Sequence, residues 1–153
     1  MDATILTQLF NLNQRALKIN LEDISDEQSR LLPPSGNSLN WVVGHIVANR
    51  QGILELAGEK AHWTEADYAA YERGSNRLEP HEARPLAGIL ADLDRSQEAL
   101  VRGLERMGPA EMAVQQGNAT VGARILFLQF HEAYHVGQTG LLRRLIGKTG
   151  AIR

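Results

Sequence analysis

Two of the five histidines lie four residues apart in the stretch Phe130-His131-Glu132-Ala133-Tyr134-His135-Val136-Gly137-Gln138. It lies inside a longer segment, from Thr120 to about Ile146, that is typical of a helix capped by the threonine. Residues four apart lie on one face of a helix, about one turn from each other. His131 and His135 can therefore reach a single metal ion from this helix.

Apolar residues recur at helical spacing in three further segments, so the chain is predicted to contain four long helices. They span approximately residues 3–20, 38–57, 85–108 and 120–146. A capping box at Ser25-Asp26-Glu27-Gln28 predicts a short helical turn, and Thr64 predicts another in the irregular connection over 59–84. No alternating run or hairpin dipeptide indicates a strand. The expected fold is all-α, a four-helix bundle formed by one domain over residues 1–153.

The composition excludes several classes of protein. The net charge is -2 with no run of like charges, so the electrostatic footprint of a nucleic-acid-binding protein is absent. The chain has no cysteine, which excludes disulfides, thiolate metal ligands and a cysteine nucleophile. No apolar run approaches the roughly 20 residues that cross a bilayer, and the first residues do not resemble a signal peptide. We expect a cytoplasmic protein that binds neither nucleic acid nor membranes.

His131, Glu132 and His135 form the pattern H-E-x-x-H, which zinc proteases use. A protease of that kind takes its third zinc ligand from a residue downstream of the pattern. After His135 the chain continues only with VGQTGLLRRLIGKTGAIR, which contains no histidine, aspartate, glutamate or cysteine. The protease interpretation therefore fails for lack of a third ligand.

An upstream residue, His45, is the candidate for the third ligand because it lies in the middle of the second predicted helix. Helical bundles build metal sites from inward side chains on facing helices. Three neutral imidazoles suit a divalent ion and leave coordination positions open for water or substrate. Zinc and nickel are the expected ions, with iron, cobalt and manganese as alternatives. The competing interpretation, three unrelated core histidines, would bury three imidazoles without partners at a considerable cost.

The motifs Trp41-x-x-x-His45 and His131-Glu132-x-x-His135-x-Gly137-Gln138 resemble those of the DinB/YfiT-like family of metal-dependent enzymes. The resemblance extends over nearly the whole chain. It implies a four-helix bundle of up-down-down-up topology, often dimeric, with a three-histidine site for one divalent metal. Carried over by motif, the ligands are His45, His131 and His135.

Four further residues are candidates for the surroundings of the site. Gln138 lies on the same helical face as the two histidines and either orients a ligand or bonds within the bundle. Trp41 and Asn49, each one turn from His45, are expected to line the site. Arg124, two turns before His131, either holds an anionic group of a substrate or is a charge at the rim. For Glu132 a solvent-facing position or an inter-helix salt bridge is expected, not a role as general base.

The resemblance also implies a chemistry. Relatives include thiol-dependent transferases and an isomerase that use low-molecular-weight thiols such as bacillithiol or mycothiol. The expected function is a metal-dependent enzyme, either a transferase with such a thiol as co-substrate or a hydrolase, acting on a small molecule as a homodimer. The alternative is a metal-binding or stress-response protein without turnover.

Overall fold

The structure, a computed structural model, describes residues 2–74 and 78–152. Within these ranges most residues are helical, which confirms the all-α prediction. The elements, in chain order, are α1 Ala3–Leu21, α2 Asp26–Ser29, α3 Leu39–Leu56, α4 Glu65–Ala69, α5 Leu86–Glu105, α6 Pro109–Ala113, β1 Gln115–Gln116, β2 Ala119–Thr120 and α7 Val121–Leu145. No helix of the described residues combines the length and the apolar character needed to span a bilayer.

The predicted helix starts are set by side chains that accept hydrogen bonds from free backbone N–H groups. Ser38 caps α3 and Thr120 caps α7, and Ser25 and Gln28 form the predicted capping box of α2. One start differs from the prediction. Pro85 precedes α5 in an extended conformation, with ψ 131°, so that Leu86 is the first helical residue.

The expectation that the chain contains no strand is wrong between α5 and α7. There the short helix α6 leads into an antiparallel pair of two-residue strands, in which Gln115 lies opposite Thr120. Gly117 makes the turn with a φ of +65°, a conformation that favours glycine. Strands of two residues are too short to show an alternating pattern in the sequence. The turn itself, Gly117-Asn118, is a dipeptide typical of hairpins, so the expectation that no such dipeptide is present is wrong.

Side-chain contacts give the relative directions of the long helices. Asn13 and Asn20 of α1 donate to the carbonyls of Gln129 and Val136 of α7, so these two helices run in the same direction. Asn40 and Arg50 of α3 likewise reach the carbonyls of Arg84, before α5, and Leu93 within it. The pair α3 and α7 runs in opposite directions, because Val43 packs in one apolar cluster with Val136 and Ile53 packs in the other with Ile125. These directions are compatible with the predicted up-down-down-up order.

The interior consists of two apolar clusters separated by a charged layer. One cluster contains Val43, Val47, Leu93 and Val136, and the other contains Ile53, Leu100 and Ile125 among its members. Between them lies Arg50, which is wholly buried. Its Nε and Nη2 atoms donate to the two carboxylate oxygens of Glu132 at 2.8 and 2.9 Å.

The remaining contacts of Arg50 join the other long helices. Its Nη1 atom donates to Gln14 of α1 at 2.9 Å, and to the carbonyl of Leu93 and the hydroxyl of Ser96 of α5 at 3.2 Å each. Arg50 of α3 thus contacts α1, α5 and α7 at once.

Of the two positions predicted for Glu132, the solvent-facing one is wrong, since only 3% of its side chain is exposed. It forms the inter-helix salt bridge.

We predict that Glu132→Ala lowers the free energy of unfolding by about 3–5 kcal/mol, because it leaves the buried guanidinium of Arg50 without its counter-charge. Replacing both partners, with Arg50→Met and Glu132→Leu, should recover most of that loss, since an apolar pair of similar size removes the buried charge. Urea unfolding measures both changes.

The matched control is Lys18→Ala, which breaks the salt bridge of Lys18 with Asp94, where both side chains are about half exposed. It should cost less than about 1 kcal/mol. A Glu132→Ala protein as stable as the Lys18→Ala protein would contradict the assignment of Arg50 and Glu132 as the central tie of the fold.

Candidate metal centre

The structure brings together the three histidines that the sequence separates. His45 comes from the middle of α3, and His131 and His135 come from successive turns of α7. One ring nitrogen of each lies within 4.8 Å of the other two, so the cluster could hold a metal ion. His45 and His135 are buried and His131 is partly exposed, which leaves the cluster open on one side.

The spacing of the nitrogens suits coordination of a single ion. The Nε2 atoms of His131 and His135 are 3.1 Å apart. Two nitrogens bound to one zinc ion at about 2.0–2.1 Å lie about 2.9–3.4 Å apart in octahedral or tetrahedral geometry. The His45 ring stands edge-on to both partners, with centroid distances of 5.3 Å to His131 and 4.7 Å to His135.

Hydrogen bonds turn the remaining ring nitrogens of two histidines away from the centre of the cluster. The Nδ1 atom of His45 lies 2.6 Å from the carbonyl oxygen of Tyr71, and that of His135 lies 2.8 Å from Oε1 of Gln138. Because these oxygens only accept, each Nδ1 carries the hydrogen and each Nε2 keeps its lone pair. This arrangement is typical of metal-binding histidines. Gln138 therefore orients the His135 ring.

The residues one turn from His45 on α3 contact its ring. Trp41 stacks on it, with the centroids 4.7 Å apart and the planes 10° from parallel. The amide nitrogen of Asn49 lies 3.0 Å from Nε2 of His45 and donates to the His45 carbonyl at 2.8 Å. Trp41 thus forms a wall of the site. The Asn49 amide donates to the lone pair on Nε2 of His45, and a metal ion bound to that nitrogen would replace the amide.

Tyr71 holds His45 from the long connection between α3 and α5, and its role was missed in the sequence. Its side chain is fully buried, and its hydroxyl donates to Asn40 and accepts from the backbone N–H of Arg84. A Cβ at Gly44 would lie 2.2 Å from the Tyr71 ring, so this glycine makes room for it. A glycine in the middle of a buried helix was the signal in the sequence.

Burial lowers the pKa of all three histidines below the ordinary value of 6.5, and that of His135 to about 4. The cluster is therefore neutral at pH 7, which is the form that binds a metal. The positive charge of Arg73 lowers the pKa of His45 and of His131 further. Arg73 is exposed and lies two positions after Tyr71, whose carbonyl contacts His45.

The arginine proposed from the sequence occupies a different environment. Arg124 is exposed at the start of α7, and its Nη1 atom donates to Gln116 of the hairpin at 2.9 Å. Arg73 forms no salt bridge with any acidic side chain within residues 2–74 and 78–152. Spacing along α7 pointed to Arg124, whereas Arg73 lies in an irregular segment where periodicity gives no signal.

A helical fold with three buried or partly buried histidines converging on one point defines a protein with a candidate site for a metal. The particular family follows from the sequence match. The chain belongs to the DinB superfamily, whose family model matches residues 9–139, as the motifs around His45 and His131 predicted. A comparison with curated proteins finds no match.

We predict that the purified protein loads close to one divalent ion per chain and that His45→Ala and His135→Ala lower the affinity for it to a similar extent. Each variant removes one of three converging nitrogens. Equilibrium dialysis followed by elemental analysis measures both. His81→Ala, which changes an exposed histidine outside the cluster, is the control and should load as the unmodified protein does. Full loading of the His45→Ala protein would exclude His45 as a ligand.

Proposed function

We propose that this chain is a metal-dependent enzyme in which His45, His131 and His135 hold one divalent ion, zinc or nickel. The observation that carries the proposal is the convergence of three neutral imidazoles, two of them oriented by carbonyl groups, at a point reached from the surface beside His131. A three-ligand set leaves coordination positions free, as catalytic sites do. When bound, the ion would lower the pKa of a thiol or a water molecule and so supply a nucleophile at neutral pH.

Thiol transfer is favoured over hydrolysis by the position of Glu132. A hydrolase of the H-E-x-x-H type uses the glutamate as general base. Here both carboxylate oxygens of Glu132 accept hydrogen bonds from Arg50, and the side chain is buried in the charged layer. A thiol has an ordinary pKa of about 8.5, far below that of water, and needs less help to lose its proton. Since the chain has no cysteine, the thiol would come from a small molecule.

The positive charge of Arg73 favours a substrate that carries a negative charge. It is exposed, it lacks a salt bridge with the described acidic residues, and its charge reaches two histidines of the cluster. A divalent ion held by neutral ligands keeps its full positive charge, and Arg73 adds to it. A carboxylate on the thiol or on the electrophile would be attracted to this pair of charges.

We predict that the metal-loaded protein conjugates a low-molecular-weight thiol to a small electrophile, and that a chelator abolishes the turnover until zinc or nickel is returned. The assay follows loss of free thiol with a panel of electrophiles and, in parallel, release of product from ester and amide substrates. Turnover in neither panel by protein shown to contain metal would contradict the enzyme proposal and favour a metal-binding protein without turnover.

We predict that Arg73→Ala raises KM about tenfold for a carboxylate-bearing substrate and leaves kcat nearly unchanged, as expected for loss of one exposed charge-assisted contact. A neutral analogue should be unaffected. The control is Arg124→Ala, which removes the arginine that contacts Gln116. Equal effects of the two variants on KM, or equal loss for charged and neutral substrates, would contradict the role of Arg73.

A further inference from the structure

The long connection between α3 and α5 has one buried residue over positions 59–74. The side chain of Tyr71 is wholly buried, whereas every other residue in this range is partly or fully exposed. The carbonyl oxygen of the same tyrosine lies 2.6 Å from Nδ1 of His45. An irregular segment therefore supplies the contact that orients one of the three histidines, and Tyr71 holds that segment against the bundle.

Contacts at both ends of its side chain fix Tyr71 against α3. The ring occupies the space beside Gly44, where an added Cβ would lie 2.2 Å from a ring carbon. The hydroxyl donates to Oδ1 of Asn40 at 3.1 Å and accepts from the backbone N–H of Arg84 at 2.9 Å. Asn40 is itself wholly buried, and its Nδ2 atom donates to the Arg84 carbonyl at 2.9 Å. We call this closed set of hydrogen bonds, formed by Tyr71, Asn40 and the backbone of Arg84, the Tyr71 anchor.

Two further contacts of the connection lie farther from the carbonyl that orients His45. Near the start of the connection, the buried side chain of Gln51 accepts hydrogen bonds from two backbone N–H groups at 2.7 and 3.1 Å. The salt bridge of Asp67 with Arg84 measures 2.8 Å, but about a third of each side chain is exposed, at 34% and 33%. A salt bridge with that exposure contributes little to stability. The position of the Tyr71 carbonyl therefore depends mainly on the anchor.

His45 links the anchor to the histidine cluster because its two ring nitrogens have different partners. Nδ1 donates to the Tyr71 carbonyl, which leaves Nε2 for a metal ion. A cation on one nitrogen of an imidazole draws electron density from the ring, so the N–H on the other nitrogen becomes a stronger donor. A carbonyl acceptor on that N–H in turn makes the metal-binding nitrogen more basic. The hydrogen bond and the metal contact of His45 therefore strengthen each other.

The corresponding contact of His135 stays within one helix. Its Nδ1 atom lies 2.8 Å from Oε1 of Gln138, which is three residues later on α7. A stronger hydrogen bond at this position holds no other segment of the chain. Of these two histidines, His45 is the one whose ring connects a bound metal to a remote part of the sequence.

We infer that Tyr71 is a positioning residue that couples the metal centre to the connection. Binding of the ion strengthens the anchored state of residues 64–74, and the anchored state strengthens binding of the ion by the same factor, because coupling between two equilibria is reciprocal. Arg73 follows Tyr71 by two residues, so the anchor also limits where the charge of Arg73 can stand. The inference rests on the metal site of the proposed function and does not depend on turnover.

Hydrogen–deuterium exchange of the purified protein, with chelator and with saturating zinc, tests the effect of the metal on the connection. The backbone N–H groups of Tyr68 and Tyr71 donate to carbonyls of the same segment at 3.0 Å, so their exchange reports its opening. We expect zinc to slow exchange within residues 64–74 about tenfold, because one neutral hydrogen bond gains charge assistance. The hairpin over 115–120, about three turns of helix before His131, is the control and should exchange equally in both conditions.

Two substitutions that weaken the anchor test the reverse effect. Tyr71→Ser removes the buried ring, and Gly44→Ala fills the space that the ring occupies. Each should lower the affinity for zinc about tenfold, a factor close to the slowing of exchange in the unmodified protein. The controls are Tyr68→Ser, which changes a partly buried tyrosine of the same connection, and Gly52→Ala, which adds a Cβ where α3 has open space. Both should bind zinc as the unmodified protein does, as measured by competition with a chromophoric chelator.

Unchanged exchange within residues 64–74, in protein shown to contain zinc, would overturn the inference and leave the proposed metal site intact. Full zinc affinity of the two anchor variants, with helical circular dichroism preserved, would overturn it as well and give Tyr71 a structural role only. Absence of zinc binding by the unmodified protein would overturn the metal site and this inference together. If one variant does not fold, the other decides, and if neither folds, the exchange of the unmodified protein decides.

Discussion

The buried salt bridge between Arg50 and Glu132 ties all four long helices together. A guanidinium in an apolar interior must satisfy its donors, and Arg50 does so with Glu132, Gln14, Leu93 and Ser96, which lie on three other helices. Each helix therefore has only one favourable position along its axis relative to α3. A shift by one residue would leave a buried donor or a buried charge unpaired. Apolar packing above and below this layer tolerates more variation than the charged contacts do.

That register also places the candidate metal centre. Glu132 directly follows His131 on α7, and Arg50 lies five residues after His45 on α3. Fixing Arg50 against Glu132 therefore brings His45 opposite His131 and His135, with ring centroids 5.3 and 4.7 Å away. Tyr71 then holds the far side of the His45 ring through its carbonyl, and Gln138 does the same for His135. The salt bridge and the histidine cluster are two consequences of one packing of α3 against α7.

Local signals predicted most of the helices and the cluster. Serine and threonine caps at Ser38 and Thr120 placed the starts of α3 and α7, since a cap acts within its own first turn. The hairpin beside α7 escaped prediction because its strands have two residues each. For Arg124 the sequence left two roles open, a holder of an anionic substrate group or a charge at the rim, and in the structure this residue is exposed and contacts Gln116. Nothing in the sequence indicated that the charge of Arg73 reaches the histidines. The position of Arg73 depends on the packing of Tyr71 against Gly44. This packing joins an irregular segment to α3, so the spacing of apolar residues in the sequence does not predict it.

Features that depend on neighbours within one turn of helix follow from the sequence alone. These include the helical state of the long segments, their caps, and the placement of His131 and His135 on one face, because 3.6 residues per turn sets that geometry without reference to the rest of the chain. Three features depend instead on the packing of the whole chain: the partner of Glu132, the carbonyl that orients His45, and the apolar residues of α1 and α7 that remain exposed. The first two features are contacts between residues that lie far apart in the chain. The third depends on which face of each helix is covered by its neighbours, so all three follow from how the helices pack together.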